Sequence, residues 1–214
     1  MLLAELKQRY YTGVPLESGG TSIPGSAAPA VKWLVDSGLV EGTVLDYGAG
    51  KYARNADFLR DRGFKTYAFD PFNFNGKEGW EQGAVSSILP KKKFDVAFSC
   101  FVLNVVPKKL EAEIIATTEG LAKKTIHITR NRDIFDMVKR ALHKQDRTVW
   151  PFFVEHFWKG KDEPTITDLT DDLIEDFCKH GVQTIKGFQR IPVLEQYGYE
   201  LVRNTSGFKI YIKQ

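Results

Sequence analysis

Hydrophobic and polar residues alternate along this chain with two different periods. Short apolar runs rich in β-branched and aromatic residues occur at 43–46, 65–70 and 94–101, and they predict strands. Apolar residues spaced three or four apart predict amphipathic helices over 53–62 and 108–121. Strands that alternate with helices are typical of a mostly parallel sheet, so we expect an α/β fold.

The end of the chain has a different pattern. Strands are predicted at 200–204 and 208–213, and the linker Thr205-Ser206-Gly207 between them is typical of an antiparallel hairpin. Two more strands are predicted, a short one near Gly83–Val85 and another at 125–129.

Composition and charge narrow the class of protein. The 214 residues are enough for one domain, and no run approaches 18 apolar residues, so we expect no membrane span. Glu5 and Lys7 interrupt the start, where a secretory signal would be apolar. Cys100 and Cys178 alone make neither a disulfide framework nor a zinc site. We therefore expect a soluble cytoplasmic protein with no bound metal.

The net charge of +3 is unevenly distributed. Residues 51–150 contain 19 basic and 12 acidic side chains, a net charge of +7. Such an excess attracts an anionic partner, although solvated lysines on helix faces would give the same count.

A glycine-containing turn follows the first predicted strand. The sequence there is Val44-Leu45-Asp46-Tyr47-Gly48-Ala49-Gly50, and Asp70 ends the next strand 20 residues after Gly50. The glycines allow a sharp turn and the close approach of a ligand. A carboxylate at the end of the next strand can accept hydrogen bonds from both hydroxyls of a ribose.

Two classes of cofactor use such a turn. Gly48-x-Gly50-x-x-Ala53 matches the dinucleotide fingerprint, which indicates an NAD-dependent oxidoreductase. Asp46 would repel a pyrophosphate but suits a ligand with an ammonium group, such as S-adenosylmethionine, and so favours the methyl donor. A sharp strand–helix connection without any ligand is the third interpretation.

The turn also resembles the first motif of the class I S-adenosylmethionine-dependent methyltransferases, an apolar pair, Asp or Glu, then x-Gly-x-Gly. The similarity covers roughly residues 25–130 and includes the terminal hairpin. It implies a Rossmann-like sheet of seven strands, mostly parallel, with a C-terminal antiparallel hairpin and helices on both faces. The segments LDYG, FDP and VLNVVP together also resemble methyltransferases associated with DNA modification gene clusters.

The resemblance implies which residues contact the methyl donor. Asp46 and the turn would hold the methionine end, Asp70 the ribose, and Cys100 with Phe101 would border the cofactor. The implied cofactor contacts are Asp46, Tyr47, Gly48, Ala49, Gly50, Asp70, Pro71, Phe72, Ala84, Val85, Cys100 and Phe101. In a predicted buried strand, Cys100 is expected to be a packing residue and not a nucleophile. No catalytic residue is assigned.

The acceptor of the methyl group is not identified by the sequence. Ligands bind outside the carboxyl ends of the strands in open α/β sheets, which makes Asn104 and Arg130 candidates for the acceptor side. The basic segment 123–147 precedes an aromatic run in which Trp150 can stack on a base and His156 can act as a general base. The same run can instead form a lid or core packing.

We therefore expect a single methyltransferase domain over residues 1–214. Within it, 1–25 would be an irregular lead-in and 131–190 an acceptor-side elaboration or lid. The expected partner is a nucleotide, a nucleic acid or another anionic small molecule. The alternatives are a non-catalytic S-adenosylmethionine-binding or sensor protein, and an NAD-dependent oxidoreductase.

Overall fold

The computed structural model describes residues 25–73, 75–160, 162–184 and 187–214. The predicted lead-in therefore lies outside the described residues, apart from Gly25. The helices are α1 (Pro29–Asp36), α2 (Arg54–Arg60), α3 (Lys108–Leu121), α4 (Arg132–His143), α5 (Val149–His156) and α6 (Asp171–His180). The strands are β1 (Thr43–Tyr47), β2 (Lys65–Phe69), β3 (Phe94–Cys100), β4 (Ala122–Arg130), β5 (Val182–Thr184), β6 (Gly187–Gln189), β7 (Glu200–Asn204) and β8 (Phe208–Lys213). None of these helices is long and apolar enough to cross a membrane.

The central sheet has the strand order β2-β1-β3-β4-β8-β7. The first four strands in this order are parallel, and β8 is antiparallel to both of its neighbours. The predicted mostly parallel sheet with a C-terminal antiparallel hairpin is thus confirmed. From β1 the chain continues to β2 on one side, and it then crosses to β3 on the other side of β1. The connections that follow β1 and β3 therefore run in opposite directions. Between them, at the carboxyl ends of the two strands, lies the crevice in which ligands bind in such sheets.

The predicted seventh strand is wrong for the described residues, because the central sheet has six strands. Near Gly83–Val85 the chain makes a single bridge to the sheet, between Phe69 and Ser86. The Ala68 amide, which would extend this ladder, donates to the Gly79 carbonyl instead, at 2.7 Å. A ladder cannot extend through a residue whose backbone groups are already paired elsewhere, so the edge of the sheet is reduced to this bridge.

Helices cover both faces of the sheet, as predicted. On one face, α1 and α2 pack on alternate strand residues such as Val44, Phe98 and Ile126. On the other face, α3 packs on a cluster that includes Tyr211. Alternation of this kind follows from the two-residue period of a strand, which turns successive side chains to opposite faces.

Residues between β4 and β7 form an insertion with its own hydrophobic core. It contains α4, α5, α6 and the two-stranded β5–β6 sheet. Phe153 and Phe177 are fully buried there with their ring centroids 5.0 Å apart. Several residues of the aromatic run 150–158 belong to this core. Part of the run therefore has the packing role that was one of its predicted alternatives.

Candidate cofactor and acceptor site

The glycine turn is held against the end of β2 by backbone hydrogen bonds. The amides of Gly48 and Ala49 both donate to the carbonyl of Phe69, at 2.8 and 3.0 Å. Gly48 and Gly50 have φ angles of 80° and 68°, the left-handed region that glycine adopts without steric cost. A Cβ at Gly48 would overlap the side chain of Val102, so the segment after β3 presses directly on the turn.

Asp70 joins the turn to the loop after β2. One of its carboxylate oxygens accepts from the Gly50 amide at 2.9 Å, and the other accepts from the Phe72 amide at 2.8 Å. Burial raises the pKa of this carboxyl, while the amides of Phe72 and Gly50 lower it. The side chain and the amide of Asn73 lower the pKa of Asp70 as well, so a ligand hydroxyl would compete with these protein donors for the carboxylate.

Asp46 is a fully buried carboxyl at the end of β1. Neither of its oxygens makes a hydrogen bond of ordinary geometry to the described residues, although the Ala56 amide lies close enough to lower its pKa. The pKa of Asp46 is raised to about 8, mainly by burial and also by the charge of Asp70, against the opposing charge of Arg60. A buried carboxylate without a partner is costly, which makes Asp46 a strong binding group for a cation.

Arg60 cannot neutralise Asp46 directly, because its guanidinium is occupied elsewhere. It pairs with Asp57 at 2.7 Å, and it also donates to the carbonyls of Thr66 and Gly79. Arg60 therefore lowers the pKa of Asp46 by electrostatic attraction alone, without a direct ion pair.

Cys100 and Asn55 lie on the same side of the sheet as Asp46. Burial and the charge of Asp46 raise the pKa of the Cys100 thiol far above its usual range, so the thiol stays protonated. Asn55, in the first turn of α2, accepts from the Ala28 amide at 2.9 Å and fixes the start of α1 beside the turn. Sequence reasoning missed Asn55, since a single Asn in a predicted helix carries no distinctive signal.

The remaining sequence-predicted cofactor contacts lie near the carboxyl ends of β1, β2 and β3. Pro71 and Phe72 are half-buried in the loop directly after Asp70, while Ala84 and Val85 are fully buried beside α2. Tyr47 is turned to the opposite face, 4.9 Å from the ring of Phe69, and burial raises its pKa to about 12. Phe101 follows Cys100 at the end of β3 and is half-buried.

Asn104 has a structural role in the loop after β3. Its side chain accepts from the Arg130 amide at 2.8 Å and donates to the Arg190 carbonyl at 2.7 Å. Its own carbonyl accepts from the Arg190 amide at 2.8 Å. Asn104 is fully buried and fastens the insertion to the carboxyl ends of β3 and β4.

A buried ion pair that the sequence did not indicate strengthens the same junction. Arg190 donates to Glu111 of α3 at 2.7 Å, and both side chains are almost completely buried. The hydroxyl of Tyr197 donates to the other Glu111 oxygen at 3.0 Å. The partners are 79 and 86 residues from Glu111, so no local pattern could reveal them.

The other candidates for the acceptor side are spread over the insertion. Arg130 pairs with Asp133 at 2.5 Å and reaches Gln189 at 3.3 Å. Trp150 is half-buried against the insertion core, with its ring 6.1 Å from that of Phe153. His156 is about half exposed and lies at the end of α5, 3.7 Å from Glu155. The structure places Arg130 at the carboxyl end of β4, and it places Trp150 and His156 on α5.

No model of a known protein family and no curated protein matches the chain. Solved structures do resemble it. The magnesium protoporphyrin IX methyltransferase ChlM from Synechocystis PCC 6803 with bound SAH is 16% identical, with a TM-score of 0.50, over 86% of this chain and 78% of that one.

Two further solved structures are similar at lower scores. The DhpI–SAM–HEP complex is 16% identical over 99% of this chain and 98% of that one, with a TM-score of 0.49. An O-methyltransferase family protein from Burkholderia thailandensis is 15% identical over 87% of this chain and 55% of its own length, with a TM-score of 0.48. At TM-scores below 0.5 these two carry no argument. The likeness to ChlM shows the fold: this chain has the fold of a class I S-adenosylmethionine-dependent methyltransferase.

Proposed function

We propose that this protein is an S-adenosylmethionine-dependent methyltransferase and that its cofactor binds in the crevice between the carboxyl ends of β1 and β3. The observation that carries the proposal is Asp46, a fully buried carboxyl without a hydrogen-bonded partner among the described residues. The ammonium group of S-adenosylmethionine supplies the missing positive charge. The pyrophosphate of NAD would add negative charge beside Asp46 and Asp70.

The chain's own residues divide the work of binding. Asp46 takes the ammonium group, and the backbone from Tyr47 through Ala49 to Gly50 passes close to the methionine end. Asp70 accepts from the ribose hydroxyls in exchange for some of the hydrogen bonds that it receives from Gly50, Phe72 and Asn73. Pro71 and Phe72 flank the adenine, with Ala84 and Val85 behind it, and Cys100 and Phe101 border the methyl group.

When bound, the cofactor supplies a methyl group on a positively charged sulfur, which is activated for displacement. The protein then contributes mainly position, by fixing the donor in a buried crevice in front of the acceptor. A general base is required where the acceptor must lose a proton, and His156 is our candidate for that role.

The acceptor side is formed by the insertion at the ends of β3 and β4. We propose that residues 131–190 are an acceptor-side elaboration of a single methyltransferase domain spanning the 214 residues. Arg130 and Trp150 are candidate contacts for an anionic acceptor such as a nucleotide, because they offer a guanidinium and an indole. Asn104 would position this side through its hydrogen bonds.

Calorimetry with S-adenosylmethionine, its demethylated product SAH and NAD tests the cofactor. We expect the first two to bind and NAD not to bind. In Asp46→Asn, which keeps the size of the side chain, both should bind about 10- to 100-fold more weakly, because a charge-assisted hydrogen bond is lost. Tight binding of NAD alone would overturn the proposal.

The pH dependence of binding gives an independent test of Asp46. Its pKa of about 8 means that the free protein must release a proton before Asp46 can pair with an ammonium group. Affinity for S-adenosylmethionine should therefore rise by up to about tenfold from pH 6 to pH 7 and lose this dependence in Asp46→Asn.

Transfer of labelled methyl into DNA, RNA and small-molecule pools then identifies the acceptor class. Binding without transfer to any pool would favour the sensor alternative.

A further inference from the structure

Phe101 has an unusual backbone conformation at the end of β3. Its φ angle is +63°, and the other non-glycine residues with positive φ in the described ranges are Ala53 and Gln145. Ala53 begins α2 directly after the glycine turn. Two of these three conformations therefore flank the crevice, and such conformations cluster at functional sites.

The side chain of Phe101 is retained at an energetic cost. A bulky residue at this φ is strained, whereas glycine would adopt the same backbone without strain. The conformation is fixed by the Phe101 amide, which donates to the Ile128 carbonyl at 2.8 Å. The ring packs on the edge of the core beneath α1, yet remains half-buried. A half-exposed ring adds less to the core than a buried one, which suggests a use at the crevice.

The place of Phe101 relative to the two aspartates indicates that use. Cys100, its neighbour, lies within the electrostatic reach of Asp46 on one face of the sheet. Asp70 lies on the far side of the glycine turn, which its carboxylate contacts at Gly50. In S-adenosylmethionine the sulfonium connects the ribose to the amino-acid part, so it must lie between the groups held by Asp70 and Asp46.

We propose that the ring of Phe101 stabilises the positive charge of the sulfonium, and that the site thereby favours the charged methyl donor over its neutral demethylated product. The attraction of a cation to the face of an aromatic ring supplies the selectivity. This inference rests on the proposed function. It adds a specificity-determining residue that discriminates donor from product, which helps the spent cofactor to leave.

The test is the ratio of dissociation constants for SAH and S-adenosylmethionine, measured by calorimetry. In Phe101→Leu we expect the preference for the methyl donor to fall about 3- to 10-fold, while Phe101→Tyr retains it because the ring remains. Phe72→Leu is the matched control. It alters an aromatic side chain assigned to the adenine, which both ligands share, so it should change both affinities equally.

A second variant separates the role of the ring from the strain. Phe101→Gly removes both the ring and the strain. Its melting temperature should lie within about 3 °C of that of the native protein, because the relieved strain offsets the lost packing. It should still lose the preference for the methyl donor. Equal weakening of both ligands in Phe101→Leu and Phe101→Gly would overturn the role of Phe101 and leave the proposed function intact. Failure of the native protein to bind either ligand would overturn both.

Discussion

Two carboxyl groups in this protein are completely buried under opposite circumstances. Asp46, at the end of β1, has no hydrogen-bonded partner among the described residues. Glu111, in the first turn of α3, has Arg190 at 2.7 Å and Tyr197 at 3.0 Å. The fold thus completes the environment of Glu111 by itself, whereas we propose that a ligand completes that of Asp46. Complete pairing is typical of a structural junction, and the incomplete pairing of Asp46 supports the proposed binding site.

The largest effect should come from breaking the completed pair. Glu111→Ala leaves the Arg190 guanidinium charged, buried and unpaired, and we expect a loss of about 3–5 kcal/mol in the free energy of unfolding. Urea denaturation measures this loss. As a control, the double variant Glu111→Leu/Arg190→Met replaces both charges with apolar groups and should recover most of it. A loss below about 1 kcal/mol in Glu111→Ala would contradict the role of the pair.

The glycine turn should be the next most sensitive position. Gly48→Ala places a side chain at a φ of 80° and against Val102, so we expect a loss of about 2–3 kcal/mol in stability and weaker binding of S-adenosylmethionine. Adding Val102→Ala removes the overlap but not the backbone strain, and should restore part of the stability. Thermal unfolding of the single and double variants separates the two contributions. No recovery in the double variant would show that the overlap contributes nothing.

Asp46→Asn should have the opposite sign to Glu111→Ala. The pKa of Asp46 is about 8 in the folded protein and 3.8 in the unfolded chain, so the folded state binds more protons between these values and the native protein loses stability as pH rises. The Asn variant lacks this titration. We therefore expect it to be more stable by about 1–3 kcal/mol at pH 8, with a smaller difference at pH 5. Denaturation at both pH values checks the sign, and a variant less stable at pH 8 would refute it.

The smallest effect should come from the partly exposed ion pair at the carboxyl end of β4. Arg130 pairs with Asp133, but both side chains are about one-third exposed, and such pairs contribute little. Arg130→Gln should change the free energy of unfolding by less than about 1 kcal/mol and leave the affinity for S-adenosylmethionine unchanged. A higher KM for the acceptor with unchanged kcat would support the proposed contact between Arg130 and the acceptor. An unchanged KM would contradict that contact.

Local patterns in the sequence predicted the six strands of the central sheet, the hairpin and the helices α2 and α3, but not α4, α5, β5 or β6 of the insertion. The predicted helix 108–121 coincides with α3, because the spacing of its apolar residues lies within one continuous segment. The prediction of a strand near Gly83–Val85 was wrong because the Ala68 amide, which would extend the ladder, donates to the Gly79 carbonyl instead. Competition of this kind depends on tertiary contacts, which no local pattern records.

The candidate site could likewise be predicted from the sequence only in part. Asp46, the glycine turn and Asp70 could be found because a strand–turn–helix unit carries them at a short and regular spacing. The sequence could suggest that Asp46 faces a cation, but not that the described fold would leave it unpaired. Asn104 was expected on the acceptor side because it follows β3. Its side chain instead contacts Arg130 and Arg190, and the second contact spans 86 residues.

The separate core of the insertion has a kinetic consequence. A protein with two hydrophobic cores can open in two cooperative units, and each unit exchanges its amide protons independently. Amides of α5 and α6 should then exchange through openings of the insertion alone, while those of β1 and β3 exchange only when the sheet unfolds. Such openings would expose the proposed acceptor side without unfolding the strands that carry Asp46 and the glycine turn.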